Sequence, residues 1–167
     1  MNKTHEEYIN EKVVYAYELM KNNKFFRKAR AIIVKGENIV VLRNKNSSRV
    51  FIPGGGIDNG EGLKQAVKRE AMEETGALCK PIKIIGRNYY NVKMEYNGEN
   101  FVSKRVEFFY LCEFIKFKER ETLGIDGEFD ENIYVDEVSV KDLKRSKLSK
   151  KQIELVREYI EQKKNNG

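Results

Sequence analysis

An α/β fold, a mixed β-sheet with helices on both faces, is predicted by three features of this 167-residue sequence. Amphipathic stretches stand near both ends, short β-rich runs fill the middle, and one glycine-led helix interrupts those runs. Elements that each present an apolar face bury it most simply against one another in one domain. No linker, internal repeat or low-complexity tract divides the chain, and its length suits a single core.

Residues 5–21 read as a helix. Ile9, Val13, Ala16 and Met20 recur at helical spacing, Tyr8, Tyr15 and Leu19 widen the stripe, and Asn22 and Asn23 end it. Such a helix covers a sheet edge or joins a homodimer contact. Ala31–Val34 and Ile39–Leu42 flank Lys35-Gly36-Glu37-Asn38, a hairpin pattern. Val50–Ile52 is extended and stops at Pro53, which has no amide to donate to a ladder. Leu63–Thr75 is helical, with Gly76 as its left-handed C-terminal residue.

Ile82–Ile85 predicts another strand, and Tyr89–Tyr96 and Phe101–Phe114 flank the hairpin signal Asn97-Gly98. The almost unbroken apolar run VEFFYLCEF belongs at the centre of a sheet. Residues 116–132 read as a long loop and 133–140 as a strand. A last helix starts near Ser149, which has capping-box spacing to Gln152. Ile153, Val156 and Ile160 form its stripe, and the tail from residue 164 is expected to fray.

Bulk composition narrows the function classes. With 40% hydrophobic and 35% charged residues the chain is of the folded, soluble type. No run approaches the roughly 18 apolar residues of a membrane span, and the polar N-terminus lacks the pattern of a signal peptide. Cys79 and Cys112, in apolar surroundings, are expected as reduced thiols in a cytoplasmic protein. The net charge of +6 favours phosphorylated or polyanionic partners. The basic 141–151 segment reads as a solvated face or as a surface that touches RNA.

The chemistry concentrates in FIPGGGIDNGEGLKQAVKREAMEETG, residues 51–76. A helix turns about 100° per residue, which places Glu74 about +40° and Glu73 about −60° from Glu70. Leu63, Ala66 and Val67 project into the same sector, so these acids continue the packed side. Like charges so placed repel, and the C-terminal half of a helix disfavours them further. A hard divalent cation, Mg²⁺ or Mn²⁺, would resolve the conflict. So would a solvated helix whose Lys68 and Arg69 form salt bridges. Pro53-Gly54-Gly55-Gly56 permits close approach of a ligand ahead of the helix. The triphosphate-binding lysine loop is excluded because no G-K-[S/T] follows, and the dinucleotide glycine fingerprint fits poorly.

Gly55, five residues, Glu61, seven residues, then Arg69-Glu70-Ala71-Met72-Glu73-Glu74-Thr75-Gly76-Ala77 resembles the full 23-residue signature of the Nudix hydrolases. Phe51-Ile52-Pro53-Gly54 is similar to the family's lead-in, and Asp58 stands where many relatives carry glutamate. The resemblance implies an α/β/α sandwich with a mixed sheet and a loop-helix-loop metal site. It also implies hydrolysis of a nucleoside diphosphate linked to another group, with Mg²⁺ or Mn²⁺. Glu70, Glu73 and Glu74 would be the metal ligands, Arg69 would orient them, and Glu61 would support the loop. Gly54, Gly55 and Gly56 would shape the approach to the metal.

Relatives take the general base from the signature or from a distant loop, where Glu128 and Glu131 are the candidates here, with Glu119 and Glu121 behind them. Arg30 and Arg43 are expected phosphate contacts, and Phe25, Phe26, Tyr89, Tyr90 and Tyr96 are aromatics able to stack a base. Glu137 occupies the approximate position of a tryptophan common in the family. The division expected is an N-terminal helical extension over 1–24, the Nudix domain over 25–163 and a tail over 164–167. A small nucleotide is the favoured substrate and an RNA 5′ end the less favoured one, with no membrane partner. The competing reading is a catalytically weak regulatory protein that binds nucleotides or RNA ends.

Overall fold

The computed structural model describes residues 4–118, 124–125 and 128–167. Helix α1 (His5–Lys21) is followed by β1 (Phe26–Lys35), β2 (Asn38–Asn44), β3 (Val50–Phe51) and β4 (Gly54–Gly56). Helix α2 (Leu63–Thr75), β5 (Ala77–Tyr96) and β6 (Glu99–Phe117) come next. Two-residue strands β7 (Gly124–Ile125) and β8 (Glu128–Phe129) pair with each other. Strand β9 (Ile133–Ser139), a short 3₁₀ helix (Val140–Arg145) and α3 (Lys150–Asn165) complete the chain.

The main sheet is mixed. Strand β1 lies parallel to β6 and antiparallel to β2 and β4, while β5 pairs with β6, and β9 with β2. Both faces of its centre are covered, and the two-residue side-chain period of a strand sorts the core accordingly. Ala29, Ala31 and Ile33 of β1, with Val40, Tyr110 and Cys112, pack beneath Ala66, Val67 and Ala71 of α2. Ile32 and Val34, with Ile39, Val41, Phe109 and Leu111, pack with Val156 and Ile160 of α3. Burial on both faces explains why the apolar runs of β1 and β6 are almost continuous. Cys79 and Cys112 are both buried and unbridged.

The hairpin of β1 and β2 opens beyond Ile33↔Val40, and the 50–56 segment fills the gap. Val50 and Phe51 pair with β2. The chain then crosses at Pro53, whose carbonyl accepts from Ala31 N (2.8 Å), and Gly54–Gly56 pairs with Arg30, Ala29 and Lys28 of β1. The glycines, expected within the loop that leads into α2, are therefore a strand, because β1 offers unpaired backbone there and only glycine fits at position 54. A Cβ on Gly54 would lie 2.0 Å from the Ala29 carbonyl oxygen.

Other differences are physical in the same way. The expected strands Ile82–Ile85 and Tyr89–Tyr96 are one 20-residue edge strand, β5, carried through by register shifts near Leu78, Pro81 and Gly86. Pro81 is tolerated because an edge strand has one side without a ladder. Helix α1 begins at a Thr4–Glu7 capping box. Its Tyr17, Leu19 and Met20 pack with Phe101, Met94 and Tyr96, but Ile9 is 42% exposed and outside that stripe. Helix α3 continues to Asn165, and Lys164 forms an ion pair with Glu37, so the tail expected to fray begins inside the helix. None of the helices, among the described residues, is long and apolar enough to cross a membrane.

Ile32→Ala, at a position fully buried beneath α3, is expected to cost about 2–5 kcal/mol in urea denaturation. Ile115→Ala, 60% exposed, is expected to stay within about 0.5 kcal/mol.

Candidate active site

Helix α2 carries its acids under the glycine ribbon. Its start is fixed by Gly62, whose N–H donates to Gln65 Oε1 (2.8 Å), and its end by Gly76 at φ +75°. The apolar residues Ala66, Val67 and Ala71 seat the helix on the sheet. That seating turns Glu70 and Glu74 inward, and they are 7% and 2% exposed, while Glu73 stays half-buried. Burial of two carboxylates on one helix requires donors for them. Glu74 Oε2 accepts from Gly54 N (3.1 Å). Above Glu70 there is room only because Gly55 has no side chain, since a Cβ there would lie 2.7 Å from Glu70 Oε1.

Arg69 binds the rest together. Its Nε and one terminal nitrogen donate to the two oxygens of Glu61 (2.7 and 2.9 Å). The other terminal nitrogen donates to Glu70 Oε1 (2.8 Å) and Glu73 Oε2 (3.1 Å), while the terminal nitrogen that meets Glu61 also donates to the Gly56 carbonyl (3.0 Å). The planar fork of a guanidinium suits such a set of carboxylates. Hydrogen bonding to Glu61, then the nearby charge of Glu70, holds Arg69 more firmly protonated. In return the Arg69 hydrogen bonds hold the Glu61 carboxyl below its ordinary value of 4.5.

A second ion pair supports the ribbon from below. Arg30 of β1 and Glu107 of β6 are both buried, and Arg30 Nε donates to Glu107 Oε1. Arg30 also donates to the carbonyls of Ile52 (3.2 Å) and Gly54 (3.3 Å). Glu107 is not among the residues expected at the site, although an acid set among the apolar residues of 106–114 is a visible signal.

The expected site residues thus divide. Glu61, Arg69, Glu70, Glu73, Glu74 and the ribbon Gly54–Gly56 are brought together. Arg30, expected at substrate phosphate, spends its guanidinium on Glu107 and the ribbon. Arg43 forms an ion pair with Asp136 at 3.5 Å on the β2–β9 side of the sheet, and Lys35 pairs with Glu137. Glu131 is exposed in the turn before β9, Glu128 lies on β8, and Glu119 and Glu121 fall outside the described residues.

A cavity of about 500 Å³ opens over the acids. Its lining includes Phe26, segment 56–59, the α2 carboxylates and, unforeseen in the sequence, Tyr8, Glu11, Lys12 and Tyr15 of α1. Phe25 and Tyr89 pack edge to face elsewhere, with ring centroids 5.8 Å apart. A smaller cavity of about 200 Å³ lies beside Val50–Ile52, among Arg49, Arg145 and Lys147.

The donor set fits a hard divalent cation in chemical type, being all carboxylate oxygen, and the missing Gly55 Cβ leaves space beside Glu70. Yet no group of three His, Cys, Asp or Glu side chains converges as a ligand set among the described residues. The physical reason is that Arg69 and Gly54 N draw the carboxylates toward different donors.

A NUDIX domain model matches residues 25–159 of this chain. The fold is similar to that of a UDP-X diphosphatase, at 20% identity over 89% of this chain and 70% of that one, with a TM-score of 0.54. An ADP-ribose pyrophosphatase from Streptococcus suis 89-1591 shares 18% identity over 80% and 90% of the two chains (TM-score 0.55). A NUDIX hydrolase from Nitrosomonas europaea shares 20% over 86% and 90% (TM-score 0.51). No curated protein matches.

Removing one partner of a buried ion pair strands the other charge. Glu107→Ala is therefore expected to cost about 3–5 kcal/mol in urea denaturation, and Arg30→Met/Glu107→Leu to recover most of it. Because Glu61 titrates lower when folded, its stabilisation is present above pH 4.5 and is lost as pH falls through the lowered value. Denaturation at stepped pH should accordingly show a shallower acid loss in Glu61→Gln than in the wild type.

Proposed function

This chain belongs to the Nudix family, and from that premise we propose that it is a divalent-metal-dependent hydrolase of a nucleoside diphosphate linked to another group. Phosphoanhydride hydrolysis is the general activity of the family. The finer reading, a small nucleotide as substrate, is supported by a 500 Å³ cavity in the size range of small-molecule sites. Two proteins of like fold bear names of that substrate type, UDP-X and ADP-ribose.

One observation carries the proposal. Two buried carboxylates and one half-buried carboxylate share a helix face directly under a glycine ribbon, with Arg69 binding Glu70 and Glu73 and the Gly54 amide binding Glu74. Burial of this kind costs stability and builds nothing in the core, which points to chemistry. Glu70, Glu73 and Glu74 would hold Mg²⁺ or Mn²⁺. When bound, such an ion supplies positive charge against the diphosphate oxygens and makes water a stronger acid.

The chain's own residues do the rest. Gly54 and Gly55 keep the ribbon close to the acids, and Arg69 with Glu61 fixes their orientation. A glutamate carboxylate of the array accepts the proton of a water as its oxygen bonds to phosphorus and the bridging P–O bond breaks. Arg30, through Ile52 and Gly54, positions the ribbon.

Glu70→Gln and Glu74→Gln, each with a wild-type circular dichroism spectrum and melting curve, are expected to lower kcat by about 100-fold or more. The assay is a panel of nucleoside diphosphate derivatives with Mg²⁺ or Mn²⁺, with products separated by chromatography. Chelation with EDTA should abolish turnover and added Mg²⁺ should restore it. Tight nucleotide binding with no metal-dependent release of product from any substrate would replace the proposal with the regulatory binder.

A further inference from the structure

Helix α1 lies outside the 25–159 match, yet it walls the cavity. The residues concerned are Tyr8, Glu11, Lys12 and Tyr15, at i, i+3, i+4 and i+7, which is one face of a helix. The same helix is anchored at its far end by a separate apolar cluster. Tyr17 packs against Tyr96 (4.8 Å between ring centroids) and Phe101 (5.3 Å), and its hydroxyl donates to Glu99 at 2.7 Å. Tyr15 meets Phe26 edge to face at 5.8 Å, which joins the anchor to the cavity floor. The first turn is fixed by the Thr4–Glu7 capping box. The helix is therefore capped at its start and anchored at its far end, and its 8/11/12/15 face lines the cavity with the acids of α2.

The charge balance of that cavity gives this face a task. Five carboxylates line it against two cations, Lys12 and Arg69. Arg69 is already spread over Glu61, Glu70, Glu73 and the Gly56 carbonyl. A substrate with a diphosphate adds more negative charge to a site dominated by acids, so a further cation at the wall favours its entry. Lys12 supplies one. Its Nζ stands 4.3 Å from the centroid of the Tyr8 ring, an arrangement that steadies a flexible side chain.

We infer that α1 is part of the active site and that Lys12 is a substrate-binding residue, with its ammonium donating to a phosphate oxygen of the diphosphate. The inference rests on the hydrolase reading and deepens it. The helix thus serves the site of its own chain as well as covering the β5–β6 end of the sheet, the covering role expected from the sequence.

The test uses methylenediphosphonate, a diphosphate core that resists hydrolysis, with Mg²⁺ and the full chain. Calorimetry should show Lys12→Met binding it at least about 10-fold more weakly than wild type, with Lys12→Arg restoring most of the affinity. In turnover assays the same loss should appear in KM, with kcat little changed. Wild-type protein provides a readout free of any variant. Acetylation of Lys12, followed by peptide mass spectrometry, should slow in the presence of the diphosphonate, while acetylation of the exposed Lys151 stays constant. Equal affinity in Lys12→Met together with no protection of Lys12 would overturn the inference and leave the hydrolase reading standing. Protection without turnover of any substrate would keep Lys12 as a ligand contact and remove the hydrolase reading. Failure of wild type to bind the diphosphonate would overturn both.

Discussion

Three carboxylates on one packed helix face need positive charge close by, and Arg69 is the cation that the chain itself supplies. Its guanidinium links Glu61, Glu70 and Glu73 to the Gly56 carbonyl, so helix, preceding loop and glycine ribbon are one unit. Without it, the like charges of α2 would repel at a helix end that already disfavours them. Much of the surrounding architecture follows from keeping that unit in place. The opening of the β1–β2 hairpin admits the ribbon, and the absent side chains of Gly54 and Gly55 let it lie between the Ala29 carbonyl and the Glu70 carboxylate.

The second buried pair, Arg30 with Glu107, serves the same end from the sheet. A charge pair at this depth is weak as a source of stability. Its value lies in position, because Arg30 reaches the carbonyls of Ile52 and Gly54 while Glu107 holds it on the central strand β6. The ribbon is thereby tied above to the acids of α2 and below to the sheet. Helix α1 closes the cavity on a further side through an apolar anchor that is independent of either ion pair.

Much of this was legible in the sequence, and the parts that were not share a cause. Helix α2, its Gly76 terminus and the inward arc of Glu70 and Glu74 follow from local periodicity and agree with the structure. The Asn97-Gly98 turn, both residues at positive φ, and the central place of β6 follow in the same way. What local patterns hid was the effect of long-range pairing. Three glycines look flexible until β1 is laid beside them. Pro81 and Gly86 look like breaks until β6 carries β5 past both, and Gly86 makes room for Gln152 of α3. Tyr8 reads as part of an apolar stripe, and nothing local marks Lys12, until the fold sets both over the acids of a helix more than fifty residues away. Arg30 reads as a substrate contact until Glu107, buried on a neighbouring strand, claims it.

The central claim is that the α2 carboxylates beneath the ribbon form the seat of a divalent ion. Titration of Mn²⁺ into the full chain, with the free ion followed by electron paramagnetic resonance, tests it most directly. The account predicts saturable uptake by wild type that is lost in a folded Glu70→Gln/Glu74→Gln protein. Uptake of equal strength in both proteins would contradict it, because the ion would then be held by other residues.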